Sequence, residues 1–197
     1  GTSKAAVLKR ADLPEDEAAW PQLFARLMGS PDPGKRQLDG MGGGISSLSK
    51  VCIVGPATRD DADIDYTFAQ IGVDNDRVDF SGNCGNMSSA MGPFAYDEGL
   101  VEGPRDGEAV VRIHNTNSGK VIVARFAVSE GHAVVAGDTA IPGVHGTGAP
   151  VVLDFLDPSD TFGRGTLPGG SARRELTLAD GRRVRVTMID AAVPSVF

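Results

Sequence analysis

Redox and metal-ligating side chains are scarce in this sequence. Two cysteines, Cys52 and Cys84, stand in 197 residues, too few for a disulfide framework. The three histidines, His114, His132 and His145, are scattered without metal-ligand spacing to one another, so nothing points to zinc or iron. Positive charge is short as well. With 19 Lys and Arg against 26 Asp and Glu the formal net charge is −7, and no basic run offers itself to nucleic acid or an anionic membrane. No apolar run approaches membrane-spanning length, and no signal peptide or lipidation motif is seen, which makes the cytoplasm the default compartment. Internal repeats and low-complexity tails are missing too. What remains is a chain with 41% hydrophobic residues, enough to bury a core as one domain or a domain plus a fragment of a second.

What the chain does have is glycine in one telling place. Gly40 to Gly55 reads GMGGGISSLSKVCIVG. It is not a Walker loop, because that motif needs Gly and Lys adjacent, and Lys50 lies six residues beyond Gly44. The dinucleotide fingerprint would need glycine where Ile45 stands. A third reading fits: Gly42, Gly43 and Gly44 let backbone N–H groups turn toward a carboxylate, and Ser46, Ser47 and Ser49 add hydroxyl donors. The plain alternative is a flexible turn.

Along the chain, GTSKAAVLKR reads as a strand and Pro21–Met28 as a short helix closed by Gly29 and Pro31. From Leu48 to Val54 both alternations are apolar, the mark of a strand buried on both faces. Val51 and Ile53 fall on one side, and Leu48, Lys50, Cys52 and Val54 on the other. Asp65 to Val73 is a further strand. A helix from about Asn86 to Glu98 has no charged face until Asp97, so it should be central and enclosed, distorted at Pro93. AVVRIH and KVIVARFAV form a hairpin around Asn115–Gly119, HAVVAGD is another strand, and RELTLADGRRVRVTMID is a second hairpin turned at Asp180-Gly181. Asp157 to Ser171 is the loosest loop. The fold class is α+β, a curled, mostly antiparallel, barrel-like sheet around one buried helix. Both ends, GTSK and the apolar AAVPSVF, look cut from something longer.

Two side chains could carry chemistry. Cys84 sits in SGNCGNM at a helix start, where the partial positive charge favours thiolate and free N–H groups bind anions. The alternative is a cysteine that merely caps the helix. Lys50 shares its parity with apolar residues, and burial disfavours an ammonium, which suits a lysine to accept a proton. The alternative is a surface lysine snorkelling from a strand end. With a second donor set at Asn83, Gly85 and Asn86, the two loops would hold a small polycarboxylate between Lys50 and Cys84. Cys52, mid-strand, is core.

GMGGGISSLSKVCIVGP, DADIDYTFAQ, SGNCGNMSSAMGPFAYDEGLV and IHNTNSGK resemble the PrpF-type isomerases, a family of methylitaconate, 4-oxalomesaconate and aconitate isomerases with the diaminopimelate epimerase fold. The resemblance implies two similar domains with the active site between them. Residues 1–185 would be the first domain and 186–197 the start of the crossover to a second one. It implies Lys50 as catalytic base and Cys84 as the cysteine facing the substrate. Gly42 to Ser47, Asn83, Gly85, Asn86 and Met87 become carboxylate-binding elements, together with Thr2 and Ser3 of the N-terminal G-T-S-K. The family usually has Thr where Ile45 stands and lacks Cys52. The activity implied is a cofactor-independent 1,3-proton shift in a small unsaturated di- or tricarboxylate, with no metal and no cofactor. An amino-acid epimerase or racemase of the same fold, using a thiol pair, and a non-catalytic carboxylate-binding domain are the alternatives. The partners implied are the substrate and the second domain, and an exposed cleft face would promote weak self-association, for instance as a homodimer.

Overall fold

The structure, a computed structural model, describes residues 2–197. In chain order the elements are β1 (Ala6–Lys9), α1 (Trp20–Met28), β2 (Lys50–Pro56), β3 (Ile64–Ile71), β4 (Val78–Asp79), α2 (Gly85–Asp97), β5 (Gly107–Asn115), β6 (Lys120–Ser129) and β7 (His132–Ala133). They continue with β8 (Thr139–Ala140), β9 (Thr147–Gly148), β10 (Val151–Phe155), β11 (Arg174–Thr177), β12 (Arg183–Val186), β13 (Met188–Ala191) and β14 (Val193–Val196).

The main sheet runs β1-β2-β3-β5-β6-β10, with β4 on β3 and β7 on β6. Most neighbours are antiparallel, but β1–β2 and β3–β5 are parallel. A parallel neighbour requires a crossover, and the two crossovers carry the two helices. α1 lies between β1 and β2 in sequence, and α2 between β3 and β5. The helices end up on opposite faces, because the alternation of β2 is apolar on both. Val51 and Ile53 meet Trp20, Phe24 and Met28 of α1, while Cys52 and Val54 meet Met87, Met91 and Ala95 of α2. The expected two-faced strand is therefore present, beginning at Lys50. Leu48 belongs instead to a short 3-10 turn, Ser46–Leu48.

α2 touches β2, β5, β6, β7 and β10. One helix can meet strands this far apart only if the sheet curls around it. Gly92 permits the close approach: a Cβ there would stand 2.9 Å from Ala124 Cβ on β6. The helix continues through Pro93 to Asp97. It is not enclosed all round, however. Met87, Ser88, Met91, Gly92 and Ala95 are buried, while Ser89, Ala90, Pro93 and Phe94 are half-buried and Asn86 is exposed, since the sheet covers one side only.

The hairpin around Asn115–Gly119 forms as expected, and Asn117 locks it to β3: its Nδ2 donates to Phe68 O (2.8 Å) and Phe80 O (2.7 Å), and its Oδ1 accepts from Phe68 N (2.7 Å). HAVVAGD departs from expectation. His132–Ala133 pairs with β6 and Val134 N donates to Ala127 O (2.9 Å), and the chain then leaves the sheet with Val135 exposed, its carbonyl taken by Ala149 N. The Asp180-Gly181 hairpin is present as β11–β12, with Gly181 at φ 82°, but it forms a separate two-stranded sheet, as do β13–β14 and β8–β9. The glycine-rich 157–171 segment has no strand or helix. It is pinned by buried Asp190, which accepts from Thr161 Oγ1 (2.6 Å) and Phe162 N (3.0 Å).

Candidate active site

Lys50 opens β2 on the face turned to α2, and it is only 8% exposed, so it is not a snorkelling surface lysine. Its Nζ donates to Gln70 Oε1 at 2.9 Å, stands 3.7 Å from Cys84 Sγ, and lies 5.0 Å from the centre of the Phe68 ring. Among the described residues no carboxylate reaches Nζ within ion-pair distance. A buried amine without a counter-ion is the setting in which a lysine can work as a proton acceptor.

Cys84 is the N-cap of α2, with extended backbone at φ −121° and ψ 102°. Its side chain makes no capping bond, which argues against a purely structural cap. Its carbonyl accepts from Met87 N and Ser88 N, both at 3.0 Å, and the half-buried thiol is turned to Lys50 instead. Gly85 and Asn86 occupy the first turn, so their N–H groups have no intrahelical acceptor. Asn86 Nδ2 reaches Ser3 Oγ at 3.4 Å, and Lys4 N donates to Ser47 O at 2.9 Å. The N-terminal segment thus bridges the glycine-serine loop and the helix start. Thr2 is exposed beside it.

The glycines of the loop are used differently from the expectation. Gly42 N donates to Met28 O (3.2 Å) and Gly44 N to Gln37 Oε1 (2.9 Å). A Cβ at Gly42 would overlap the Gln37 amide, and Gly44 at φ 77° would press one against Lys35 O, while a Cβ at Gly43 would crowd Leu48. These positions are glycine because the loop is wrapped tightly around buried Gln37. Their N–H groups, at Gly42 and Gly44, are already spent. Ser49 is also internal, its Oγ donating to Gln37 Oε1 at 2.6 Å. Ser46 is exposed, its carbonyl one glutamine side chain away from Lys50, and Ser47 beside it is half-buried, its carbonyl taken by Lys4 N. Met87 is turned into the core with its N–H on Cys84 O, and Asn83 Oδ1 accepts from Ser88 Oγ at 3.4 Å. The structure therefore brings together Lys50, Cys84, Gly85, Asn86, Ser3, Ser46 and Ser47, and it places Gly42, Gly44 and Met87 behind them as support.

Gln70 and Gln37 are absent from the sequence reading. Gln70 had a signal: Ile64, Tyr66, Phe68 and Gln70 share one parity of β3, and the glutamine is the polar exception on an apolar face.

Cys52 is fully buried, and burial pushes its thiol up to about 12, with the Tyr66 hydroxyl 3.8 Å away. Burial pushes the Tyr66 phenol up as well. Both are core groups. His114 pairs with Asp65 at 2.8 Å, away from Lys50, while His132 and His145 are exposed. A cavity of about 580 Å³ opens at the first turn of α2, lined by Gly85, Asn86, Ser89, His145 and Thr147. Another of about 520 Å³ lies among Arg10, Trp20, Thr58, Asp65 and Thr116, and neither Lys50 nor Cys84 lines it.

The family model described as PrpF protein matches residues 1–197. The chain is 44% identical over 197 residues to the 3-methylitaconate isomerase of Eubacterium barkeri, covering 100% of this chain and 51% of that protein. It is 41% identical over 207 residues to the 2-methyl-aconitate isomerase of Cupriavidus necator and 42% identical over 197 residues to the 4-oxalomesaconate tautomerase of Pseudomonas putida, with 52% of each covered. The crystal structure of a methylitaconate-delta-isomerase superposes with a TM-score of 0.82 at 43% identity, over 100% of this chain and 50% of that one. The chain spans about half the length of the curated relatives it matches.

Proposed function

The chain belongs to the PrpF family, and from that premise we propose that the protein catalyses a cofactor-independent 1,3-proton shift in a small unsaturated di- or tricarboxylate. The observation that carries this reading is Lys50 Nζ, buried at 8% exposure without a carboxylate partner among the described residues and 3.7 Å from a thiol at a helix start. As a neutral amine, Lys50 takes a proton from an allylic carbon next to a substrate carboxylate. The electron pair left behind spreads directly into that carboxylate and, through the double bond, to the far allylic carbon, and the N–H groups of Gly85 and Asn86 with the Ser46 and Ser47 hydroxyls stabilise the developing charge. A proton then adds at the far end of the allylic system, so the double bond moves and no atom is gained or lost.

A second half, as in relatives of twice the span, would close over this face, excluding water and adding carboxylate contacts. The names of the relatives support methylated itaconate, aconitate or oxalomesaconate as the substrate class. An epimerase working with two thiols is the alternative; because Cys52 is buried in the core, its second thiol would have to come from that other half, whose sequence discriminates the two readings. A free thiol beside a base also suits a reducing compartment, which favours the cytoplasm.

The test is a screen of aconitates, methylitaconate, methylaconitate and oxalomesaconate with the full-length protein, read by ultraviolet absorbance and by deuterium exchange from solvent. Turnover of one of them is expected. The absence of both absorbance change and exchange with all of them would overturn the isomerase reading.

A further inference from the structure

We infer that Gln70 is the positioning residue of this site: its amide oxygen takes one hydrogen of the Lys50 amine and so keeps the lone pair turned away from Gln70. The inference rests on Lys50 being the base.

Gln70 lies directly across from Lys50 in the antiparallel β2–β3 register, on the same face. Its amide has no freedom to flip. Nε2 lies 3.0 Å from Ser46 O and 2.9 Å from Ser49 O, and two carbonyl oxygens can be satisfied only by an N–H₂ group. The oxygen must then be the atom facing Lys50, at 2.9 Å. An amide oxygen accepts and never donates, so Nζ must present a hydrogen to it, and the lone pair of the neutral amine is turned away from Gln70. The stem of Lys50 is held by burial, and rotation about the last bond then has three staggered settings, of which the bond to Gln70 excludes the one with the lone pair toward the amide. Removing an unproductive setting before substrate arrives lowers the cost of aligning the acceptor orbital during proton transfer.

The chemistry of an amide suits this task better than that of a carboxylate. Oε1 carries no formal charge, so it accepts a hydrogen from either the amine or the ammonium without locking Lys50 in the charged form. A carboxylate at the same distance would favour the ammonium strongly. The same side chain also ties the site to its loop, because Ser46 O and Ser49 O flank the 3-10 turn that carries the Ser46 and Ser47 hydroxyls.

Two substitutions with opposite signs test the inference. Lysine carrying ¹³C at Cε and ¹⁵N at Nζ lets the Lys50 titration be followed by NMR in this chain, without any need for turnover. Gln70→Glu is expected to move the Lys50 midpoint up by about one pH unit or more, and Gln70→Met, which removes the acceptor from the ammonium, to move it down. In the full-length protein the acid limb of kcat/KM should follow the midpoint in each case, and Gln70→Met should lower kcat about tenfold or more with KM changed much less. A residue that only supported the fold would not shift the midpoint in opposite directions. Should Gln70→Glu not fold, the midpoint and the kcat of Gln70→Met decide. Midpoint, acid limb and kcat all unchanged in a folded Gln70→Met would overturn the inference. Full turnover in Lys50→Met would instead remove Lys50 as the base, the premise of the inference, and the NMR midpoints would still report on the Gln70–Lys50 pair.

Discussion

Lys50 Nζ and Cys84 Sγ stand 3.7 Å apart, joining the first residue of β2 to the N-cap of α2. The two elements approach from different layers of the fold, and each delivers its reactive atom from an end, where the backbone is open to a ligand. If Lys50 is the base, Lys50→Met in the full-length protein keeps the buried stem and removes the amine. The rate of double-bond migration should fall by about 10²–10⁴-fold with the circular dichroism spectrum unchanged. Cys84→Ser separates the roles. Loss of comparable size would make the thiol an obligatory acid, and activity within about tenfold of wild type would leave it a polarising neighbour.

The two cysteines should react very differently. Cys84 is half-buried at the site, while Cys52 is fully buried with its thiol pushed up to about 12. At pH 8 a thiol with that value is ionised to the order of 10⁻⁴. Brief iodoacetamide treatment followed by peptide mass spectrometry should find the label on Cys84 and almost none on Cys52. Equal labelling would show that the β2 core opens readily.

Much of this arrangement was legible before the structure. The two-faced alternation of β2 put Lys50 on the parity of Cys52 and Val54, and that is where the α2 side lies. The small, uncharged run from Gly85 placed Cys84 at a helix start. What was not legible depends on contacts between distant residues. Gln70 matters because β3 is registered so that it faces Lys50, and alternation along a strand sets its faces without naming the residue opposite. The glycine run was open to two meanings, since glycine serves close packing and ligand approach alike. The choice was made by Gln37, a polar residue in a loop sequence that ends up 1% exposed. HAVVAGD has strand propensity, but Val135 finds no core to bury itself in.

Gln37 yields a stability prediction. Its Nε2 donates to Ser30 Oγ at 2.9 Å, and its Oε1 accepts from Gly44 N and Ser49 Oγ. Gln37→Met preserves the volume but leaves Gly44 N without its acceptor, while Ser49 Oγ keeps Ile45 O at 2.8 Å. Urea unfolding of the chain should show a loss of about 1–3 kcal/mol, the cost of one unpaired buried donor. A loss under about 0.5 kcal/mol would mean that the loop rearranges and does not depend on this amide.

Acid should loosen the same loop. Backbone N–H groups of Arg36, Gln37 and Gly34 donate to the Asp32 carboxylate and hold it below its ordinary value. Because the folded value is depressed, the stabilisation is fully present above the unfolded value, about 3.9, and is lost as pH falls through the folded one. Hydrogen exchange at the Arg36 and Gln37 amides, corrected for intrinsic rates, should accelerate below about pH 4. In Asp32→Asn protection should be weaker and free of that pH dependence. Identical profiles in the two proteins would remove Asp32 as the anchor.

Gly92 sets two effects against each other. Replacing glycine by alanine inside a helix ordinarily stabilises it by about 1 kcal/mol through backbone entropy and propensity. In α2 the added Cβ would stand 2.9 Å from Ala124 Cβ and 3.0 Å from Phe126 Cε1, both on β6. The Phe126 ring sits in the core cluster against Met91 and Ala95, and a strand cannot retreat from one residue without disturbing its pairing with β5 and β10. Overpacking of this kind costs about 1–3 kcal/mol, so the net change should be destabilising by up to about 2 kcal/mol. The strain has a direction as well. α2 would be pushed away from β6, and because Cys84 caps that helix, its thiol would move relative to Lys50 on β2. Gly92→Ala should therefore lower the urea midpoint and also change the Cys84 alkylation rate, whereas a purely local adjustment would change the first alone. A midpoint raised by the full helix-propensity gain would show that β6 yields without cost, and the close α2–β6 contact would then not be what holds Cys84 in place.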